Sequence, residues 1–463
     1  MKMNKIVYMM MAGALLLSSC GIYKKYERPE VNTAGLFRDT AKADGYLAST
    51  DTTTLGSTPW KQVFTDPNLQ RLIDSALVRN TDLRTAALSV KQAKDMLKVA
   101  RLAFFPALQF SGSGTVSSWD HGKASQIYSL PVEASWTIDL FGSVLNTKRA
   151  QDAALLQSED YQRAVRTSLI AHVANTYYTL LMLDRQLAIT RNAEQLTKQT
   201  YEMMVAQKQY AGADESAVQS AKANYFSVKA SIPEIERQIR ETENALSLML
   251  CEAPHQIVRG ALENQSLPEK FSVGVPVQIL ANRPDVHAAE MALASCYYNV
   301  NKARAAFYPN ITVSGQAAWT NSGGGKIVNP GKLLASAVGS VTQPIFMRGV
   351  LTAQLRVAKS QQEQAYLAWQ QSVLNAGSEV SNALMLYQTS TERSSLLNEQ
   401  VSSLERNVEV AQKMFKLSSN YNYLNIISAQ QSLLQAQLTQ VSDQFYRMQA
   451  VVNLYSALGG GRN

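Results

Sequence analysis

The sequence predicts a mainly α-helical chain that also carries transmembrane β-structure. Long coiled-coil helices occur in two copies, and four β-strands accompany them. Three observations predict this. From Ser143 to Ala211 there is neither glycine nor proline, a stretch far beyond the ordinary globular helix. Residues 128–139, YSLPVEASWTID, alternate with a period of two: Tyr128, Leu130, Val132, Ala134, Trp136 and Ile138 are apolar, and Ser129, Glu133, Ser135, Thr137 and Asp139 are polar. The chain is also written twice. KVARLAFFPALQFSG (98–112) aligns with NKARAAFYPNITVSG (301–315). Leu140-Phe141 aligns with Ile345-Phe346, and Ala206–Tyr210 with Ala411–Phe415. Duplication of this kind fixes an architecture before any single element is considered.

The elements follow in order. Lys2 and Lys5 precede the apolar run Ile6–Leu17, which is too short to span a bilayer and fits the core of a signal peptide. It ends in Leu17-Ser18-Ser19-Cys20-Gly21, which resembles a bacterial lipobox. Residues 1–19 are therefore read as a lipoprotein signal peptide, and Cys20 as the lipidated residue. Gly21, where some lipoproteins carry Asp, matches the pattern of transfer to the outer membrane. Residues 20–60 are polar and aperiodic and read as a lipid-anchored tether. A first repeat spans 61–255: a helix over about 68–104 started by Asp66-Pro67, strands at about 106–118 and 126–139, and a helix over 143–211. A turn at Gly212-Ala213-Asp214 and a return helix to about Leu250 complete it, with Pro233 as a kink. Residues 256–282 form an irregular connector. The second repeat, 283–463, carries a helix over 283–307, strands near 309–320 and 335–346, a helix over 350–417, a turn at 418–422 and a helix to Leu458.

The long helices carry a heptad seam. Leu434, Leu438, Val441, Phe445, Met448, Val452 and Tyr455 recur at spacings of four and three, as do Leu169, Val173, Thr176, Leu180, Leu183 and Leu187. A helix over 143–211 would be about 100 Å long. A tilted strand of about twelve residues rises about 28 Å, the depth of a hydrocarbon layer. An open sheet edge is not tolerated in lipid, and membrane barrels begin at about eight strands. Four strands cannot close alone, so copies must pool them: eight strands from a dimer, twelve from a trimer. Tyr128 and Trp136 then face lipid, as candidates for interface girdles, and the polar set faces a wet interior. A soluble sheet with one buried face has the same period; the lipobox and the duplication favour the membrane. The helices are expected in the periplasm and the loops 119–125 and 321–333 outside the cell.

Composition agrees. Charged residues make up 17 % and apolar residues 46 %, with a net charge of +8 and a pI near 9.2. The basic residues are scattered rather than clustered, which argues against a nucleic-acid footprint. Cys251 and Cys296 are too few for a disulfide framework and read as buried free thiols.

The sequence resembles the TolC-like outer-membrane efflux proteins, in the lipoprotein class that partners resistance-nodulation-division pumps. The residues carrying the resemblance are Asp66-Pro67-Asn68-Leu69-Gln70-Arg71-Leu72-Ile73, Arg283-Pro284-Asp285-Val286, Ala305-Ala306-Phe307-Tyr308-Pro309, Trp136–Gly142 and Gln343-Pro344-Ile345-Phe346. The match covers essentially the whole mature chain. The resemblance implies a trimer with a twelve-stranded β-barrel and a periplasmic α-barrel. It implies two partners, a periplasmic adaptor and an inner-membrane pump. The chain itself would be a passive conduit carrying small toxic compounds from periplasm to exterior. It further implies a pore gate at the second helical tip: Asn420, Tyr421, Asn422, Tyr423, Asn425 and Ser428. Asn425 and Ser428 stand where the family often has aspartates; a gate and a simple helix turn are both compatible with these residues. The adaptor-docking tip is implied at Tyr210, Gly212, Ala213 and Asp214, with Leu417 and Ser418. For Arg283–Val286 a structural reading suffices: Pro284 suits the first helical position and Asp285 complements the helix N-terminus.

Enzymatic chemistry is not written here. His121, His172, His255 and His287 are scattered; His287 and Glu290 lie at i, i+3 without a third metal ligand and read as a surface pair. Gly323-Gly324-Gly325-Lys326 lacks the frame of a phosphate loop, and no nucleophile–base–orienter set is present. No cofactor is expected beyond covalent diacylglycerol and N-acyl lipid at Cys20. The competing readings are a conduit for protein secretion or metal-cation efflux, and a non-transport periplasmic coiled-coil scaffold.

Overall fold

The structure is a computed structural model that describes residues 23–30, 55–118, 120–209, 213–266, 268, 283–321, 332–417 and 423–461. Its helices are α1 (Trp60–Val63), α2 (Pro67–Arg79), α3 (Thr81–Leu102), α4 (Ser143–Gln209), α5 (Glu215–Met249), α6 (Pro284–Ala305), α7 (Val350–Leu417) and α8 (Tyr423–Ala457). Its strands are β1 (Ala107–Phe110), β2 (Ser113–Ser117), β3 (Ser125–Ile138), β4 (Asn310–Thr320) and β5 (Lys332–Thr342). The duplication is visible in the lengths: α4 and α7 have 67 and 68 residues, and α5 and α8 have 35 each. No described helix is long and apolar enough to cross a membrane.

The described residues form two compact units built from interleaved segments: those within 23–30, 87–160 and 287–372 in one, and those within 55–86, 161–286 and 373–461 in the other. The first holds the sheet. β1 and β2 both pair antiparallel with β3, β3 with β4, and β4 with β5, so the two repeats join through β3 and β4. β1 and β2 share one register on β3 and are parted only at Ser111-Gly112. The cause is Pro131. Ser111 N donates to the Pro131 carbonyl at 3.2 Å, but a proline has no N–H to return the bond. The expected single strand over 106–118 is therefore interrupted. The last strand also departs from expectation: it starts at Lys332 and ends at Thr342, leaving Ile345 and Phe346 beyond it and highly exposed. LLASAVGSVTQ alternates poorly, so its bounds were not written in its own pattern. They follow from β4, against which Asn310–Thr320 pair residue for residue with Thr342–Lys332.

In the same unit, the segment after the expected lipid anchor is not a bare tether. Glu290 on α6, buried, receives a bidentate pair from Arg28, Nε to Oε1 at 2.8 Å and Nη2 to Oε2 at 2.5 Å. Tyr26 meets Tyr297 edge-on at 5.8 Å, and its N–H donates to the Tyr298 hydroxyl. Glu290 is thus not half of a surface pair with His287, whose Nδ1 instead contacts the buried carboxylate of Asp160. The i, i+3 spacing could not reveal either partner, since both come from distant sequence.

The second unit contains the largest core. Phe64, Leu69, Ile73, Tyr177, Tyr178, Leu180, Leu181 and Tyr455 are fully buried within it, each large aliphatic or aromatic contributing about 1.5–3 kcal/mol by leaving water. The seam predicted on α8 is here: Val441, Phe445, Met448, Val452 and Tyr455 are buried, and Leu434 and Leu438 pack against them. Trp60 and Val63 are also core residues, so the tether read through residue 60 already folds back by Leu55. The expected single helix over 68–104 is two. Asn80 ends α2, and its Oδ1 accepts from the Asp82 and Leu83 N–H groups at 2.9 and 3.1 Å, capping α3. Asp66 starts α2 as read from the sequence, accepting from Asn68 N–H. Its Oδ2 also accepts from the Tyr177 hydroxyl and the Gln265 amide, both at 2.7 Å, tying helix start, long helix and connector together. Cys251 is exposed at a positive φ of 55° just past α5, and Cys296 is half-buried. The expected burial therefore fails for Cys251, which lies past the end of α5, and is met only in part by Cys296 on α6.

Candidate functional site

Two surfaces carry the residues singled out by the sequence: the sheet, in the first unit, and the ends of the helical hairpins, in the second.

Residues paired across a sheet share a face. Leu130, Val132, Ala134, Trp136 and Ile138 of β3 pair with Trp319, Ala317, Gly315, Val313 and Ile311 of β4. Those in turn pair with Leu333, Ala335, Ala337, Gly339 and Val341 of β5. Leu108 and Phe110 join the same face opposite Ala134 and Val132. It is apolar from edge to edge, and Leu108, Phe110, Leu130, Val132, Trp319, Leu333 and Val341 are all exposed on it. A continuous exposed apolar surface of this extent marks contact with lipid or protein. The opposite face carries Gln109, Ser129, Glu133, Ser135, Thr137, Thr312, Ser314, Gln316, Ser336 and Ser340. A few apolar residues, Ala318, Leu334 and Val338 among them, interrupt it.

The two expected girdle residues and one expected wet residue find specific partners. Trp136 lies on the apolar face, and its Nε1 donates to the Phe104 carbonyl at 2.9 Å. Tyr128 sits where Asn321, buried, extends the β3–β4 ladder: Asn321 Oδ1 accepts from Tyr128 N–H at 2.6 Å and its Nδ2 donates to Gln126 O. Asp139 does not line the polar face. β3 ends one residue earlier, and the Asp139 carboxylate accepts from Leu145 N–H at 2.7 Å at the start of α4. At the same end of the strands, Phe141 stacks on Tyr308 at 4.9 Å. Among the described residues, the outer edges of β1 with β2 and of β5 have no strand partner.

At the hairpin ends, α8 is wedged between α7 on one side and the α4–α5 pair on the other. Ile426, Ala429 and Leu433 pack with Val401, Val408 and Ala411 of α7. Ile427 packs with Met204 of α4 and Ala217, Val218 and Ala221 of α5. Gln430, buried, donates through Nε2 to Thr200 Oγ1 at 3.0 Å, and Gln431 donates to Asn224 Oδ1 at 2.8 Å. Neither glutamine was singled out by the sequence; the only available signal was their place beside the isoleucine pair.

Of the expected gate residues, Asn425 and Ser428 lie on the exposed face of α8, and Tyr423 is half-buried against the Met204–Ile427 cluster. Asn420, Tyr421 and Asn422 lie outside the described residues. In the expected docking tip, Asp214 caps α5 by accepting from Ala217 N–H at 2.7 Å, and Ala213 packs against the same cluster. Lys208 and Glu215 form an ion pair between the two helices. Leu417 is the last residue of α7, and Tyr210, Gly212 and Ser418 lie outside the described residues, as do Cys20 and Gly323–Lys326.

Arg283 is buried. It holds Asp285 bidentately at 3.0 and 2.6 Å, Glu379 at 2.6 Å and the Ala457 carbonyl at 3.1 Å. Burial works against its charge, but the two carboxylates outweigh burial and hold the guanidinium above its usual range. The Arg-Pro-Asp-Val block is a structural knot. Among the described residues, no group of three or more His, Cys, Asp and Glu is placed to hold a metal ion.

Comparison with known proteins agrees with this geometry. The family model described as outer membrane efflux protein matches residues 72–252 and 275–460. The cation efflux system protein CusC of Escherichia coli is 28 % identical over 451 residues, covering 97 % of this chain and 98 % of that one. The toluene efflux pump outer membrane protein TtgC of Pseudomonas putida is 27 % identical over 481 residues, covering 99 % and 96 %. Among solved structures, the open state of the Neisseria gonorrhoeae MtrE outer membrane channel superposes with a TM-score of 0.83 at 27 % identity, covering 96 % of this chain and 99 % of that one.

Proposed function

Since this chain belongs to the outer membrane efflux protein family, we propose that three copies close into one passive conduit, the outer-membrane component of a tripartite efflux system. The observation that carries the reading is the sheet: apolar on one face, polar on the other and open at both edges. In lipid each open edge leaves unpaired N–H and C=O groups, at several kcal/mol per group. Pairing β5 of one copy with the β1–β2 edge of the next removes both edges at once. With β1 and β2 counted as one interrupted strand, a trimer then has twelve strands with the apolar face to lipid and the Ser, Thr and Gln face to a water-filled interior. An eleven-residue strand such as β4, tilted by about 40°, rises about 28 Å, which matches the hydrocarbon layer.

The remaining assignments rest on this one. Residues 1–19 are the signal peptide, 20–60 the anchored N-terminal segment, 61–255 and 283–463 the two efflux repeats and 256–282 the connector. Cys20 carries diacylglycerol and an N-acyl chain. The long helices line a periplasmic tube whose far end meets an adaptor and a resistance-nodulation-division pump. The docking contacts fall at Tyr210, Gly212, Ala213, Asp214, Leu417 and Ser418. The gate comprises Asn420, Tyr421, Asn422, Tyr423, Asn425 and Ser428, closing by amide hydrogen bonds and ring packing. Relatives of nearly equal similarity carry a cation in one name and toluene in the other, which fits a cargo chosen by the pump rather than by this wall.

The test is the mass of the detergent-solubilised protein together with its conductance in a planar bilayer. A trimer that conducts, and conducts more after disruption of 416–428, supports the reading. A monomer whose sheet edges are satisfied internally defeats it. Loss of labelled-palmitate incorporation in Cys20→Ala checks the anchor.

A further inference from the structure

The cross-strand register places Gln109, Glu133, Gln316 and Ser336 in one row across β1, β3, β4 and β5, on the polar face of the sheet. Glu133 is exposed there and has no ion-pair partner among the described residues; an amide stands beside it on each side. No lysine or arginine occupies this face on β1, β2, β3 or β4. The nearest basic position, Lys332, pairs with Thr320 and lies four residues along β5 from Ser336, about 13 Å away.

From this row we infer that Glu133 gives the membrane-crossing stretch of the conduit a preference for cationic over anionic solutes. The inference rests on the reading that copies share one barrel with this face inside. Rotational symmetry then sets one Glu133 carboxylate from each copy at a single depth, flanked by glutamine amides that offer hydrogen bonds without cancelling charge. A ring of carboxylates inside a low-dielectric wall focuses a negative potential along the axis. Neutral and cationic molecules pass this level freely; anions meet a barrier that falls as salt rises. The selectivity resides in the sheet and acts whatever the state of the helical tips.

The test therefore enters from outside the cell. Ser135→Cys places a thiol on the same face, two residues along β3 from Glu133, about 7 Å away. Intact cells whose Cys251 and Cys296 are serine are treated with a cationic or an anionic methanethiosulfonate, both membrane-impermeant, at low salt. The expected ratio of the two modification rates falls about tenfold toward unity when Glu133→Gln is added and is kept by Glu133→Asp. Ser314→Cys, directly across from Ser135 on β4, is the second reporter, and Val132→Cys on the opposite face is the unreactive control. If both reporters react and Glu133→Gln leaves their ratios unchanged, the inference falls and the conduit stands. If neither reporter reacts with either reagent, the polar face is not a water-filled interior, and the conduit reading falls with the inference.

Discussion

Replacing Arg283 by methionine removes the centre of the knot at the start of α6 while keeping a side chain of similar length. Four hydrogen bonds go with it: two to Asp285, one to Glu379 and one to the Ala457 carbonyl. A hydrogen bond to a charged group contributes about 1.5–3 kcal/mol when buried. Asp285 and Glu379 are 46 % and 55 % exposed, however, so water re-solvates them and most of their share is recovered. The Ala457 carbonyl faces the buried guanidinium and recovers less. The expected loss is about 2–3 kcal/mol, below the 3–5 kcal/mol of a fully buried pair. Helix content followed by circular dichroism in detergent should show melting about 2–3 °C earlier. Glu379→Gln should cost about 1 kcal/mol or less. The acid limb gives a second reading. Burial pushes the Asp285 carboxyl up, but the Arg283 guanidinium and nearby backbone N–H groups hold it below the ordinary carboxylate range. A depressed folded value adds stability above the unfolded value of about 3.9 and loses it as pH falls below that. Arg283→Met should flatten this acid loss. An unchanged melting temperature in Arg283→Met, or an equal loss in Glu379→Gln, would refute the partition by exposure.

Other perturbations have equally definite outcomes. The hydrogen bond to Asp160 raises the His287 pKa, with burial opposing it; its stabilisation is complete below about pH 6.5 and lost as pH rises through the folded value. His287→Gln should therefore abolish a decline in melting temperature that sets in above about pH 6.5, and persistence of that decline would assign it to another group. An added Cβ at Gly56 would stand 2.3 Å from the Leu458 carbonyl oxygen, so Gly56→Ala should cost about 3 kcal/mol and lower the melting temperature, with unaltered melting contradicting the close approach. Asp214→Ala removes the cap of α5 and should cost about 1 kcal/mol, seen as faster hydrogen exchange over 215–220 and little change elsewhere.

Much of this architecture is legible in the residues because its signals are periodic and repeated. The run without glycine or proline sets α4, the heptads set the seam at Val441–Tyr455, and the alternation of β3 names its two faces. The duplication predicts that β5 exists at all. What escapes the sequence depends on distant partners. Asn80 looks like any polar residue of a helix until its side chain caps the next one. Arg28 is one charge in a polar leader until Glu290 is found beside it, and His287 pairs with a carboxylate 127 residues away rather than with its neighbour. The proline that parts β1 from β2 is visible in β3, but its effect falls on another strand. At the hairpin ends, the adjacent isoleucines 426 and 427 pack against different helices, Ile426 against α7 and Ile427 against α4 and α5, which a single periodic face cannot convey.

The near-equal arms of the two repeats act as a ruler. Each residue removed from a helix shortens it by about 1.5 Å. A deletion confined to α4 would draw its end back from Ile427 and Gln430 of α8, which are fitted to Met204 and Thr200. Length can therefore drift only in concert, with a matching loss in α7 and in both return arms. An insertion of seven residues preserves the seam and one of four does not. Grafting a longer arm onto this scaffold is consequently a four-place edit, made in whole heptads.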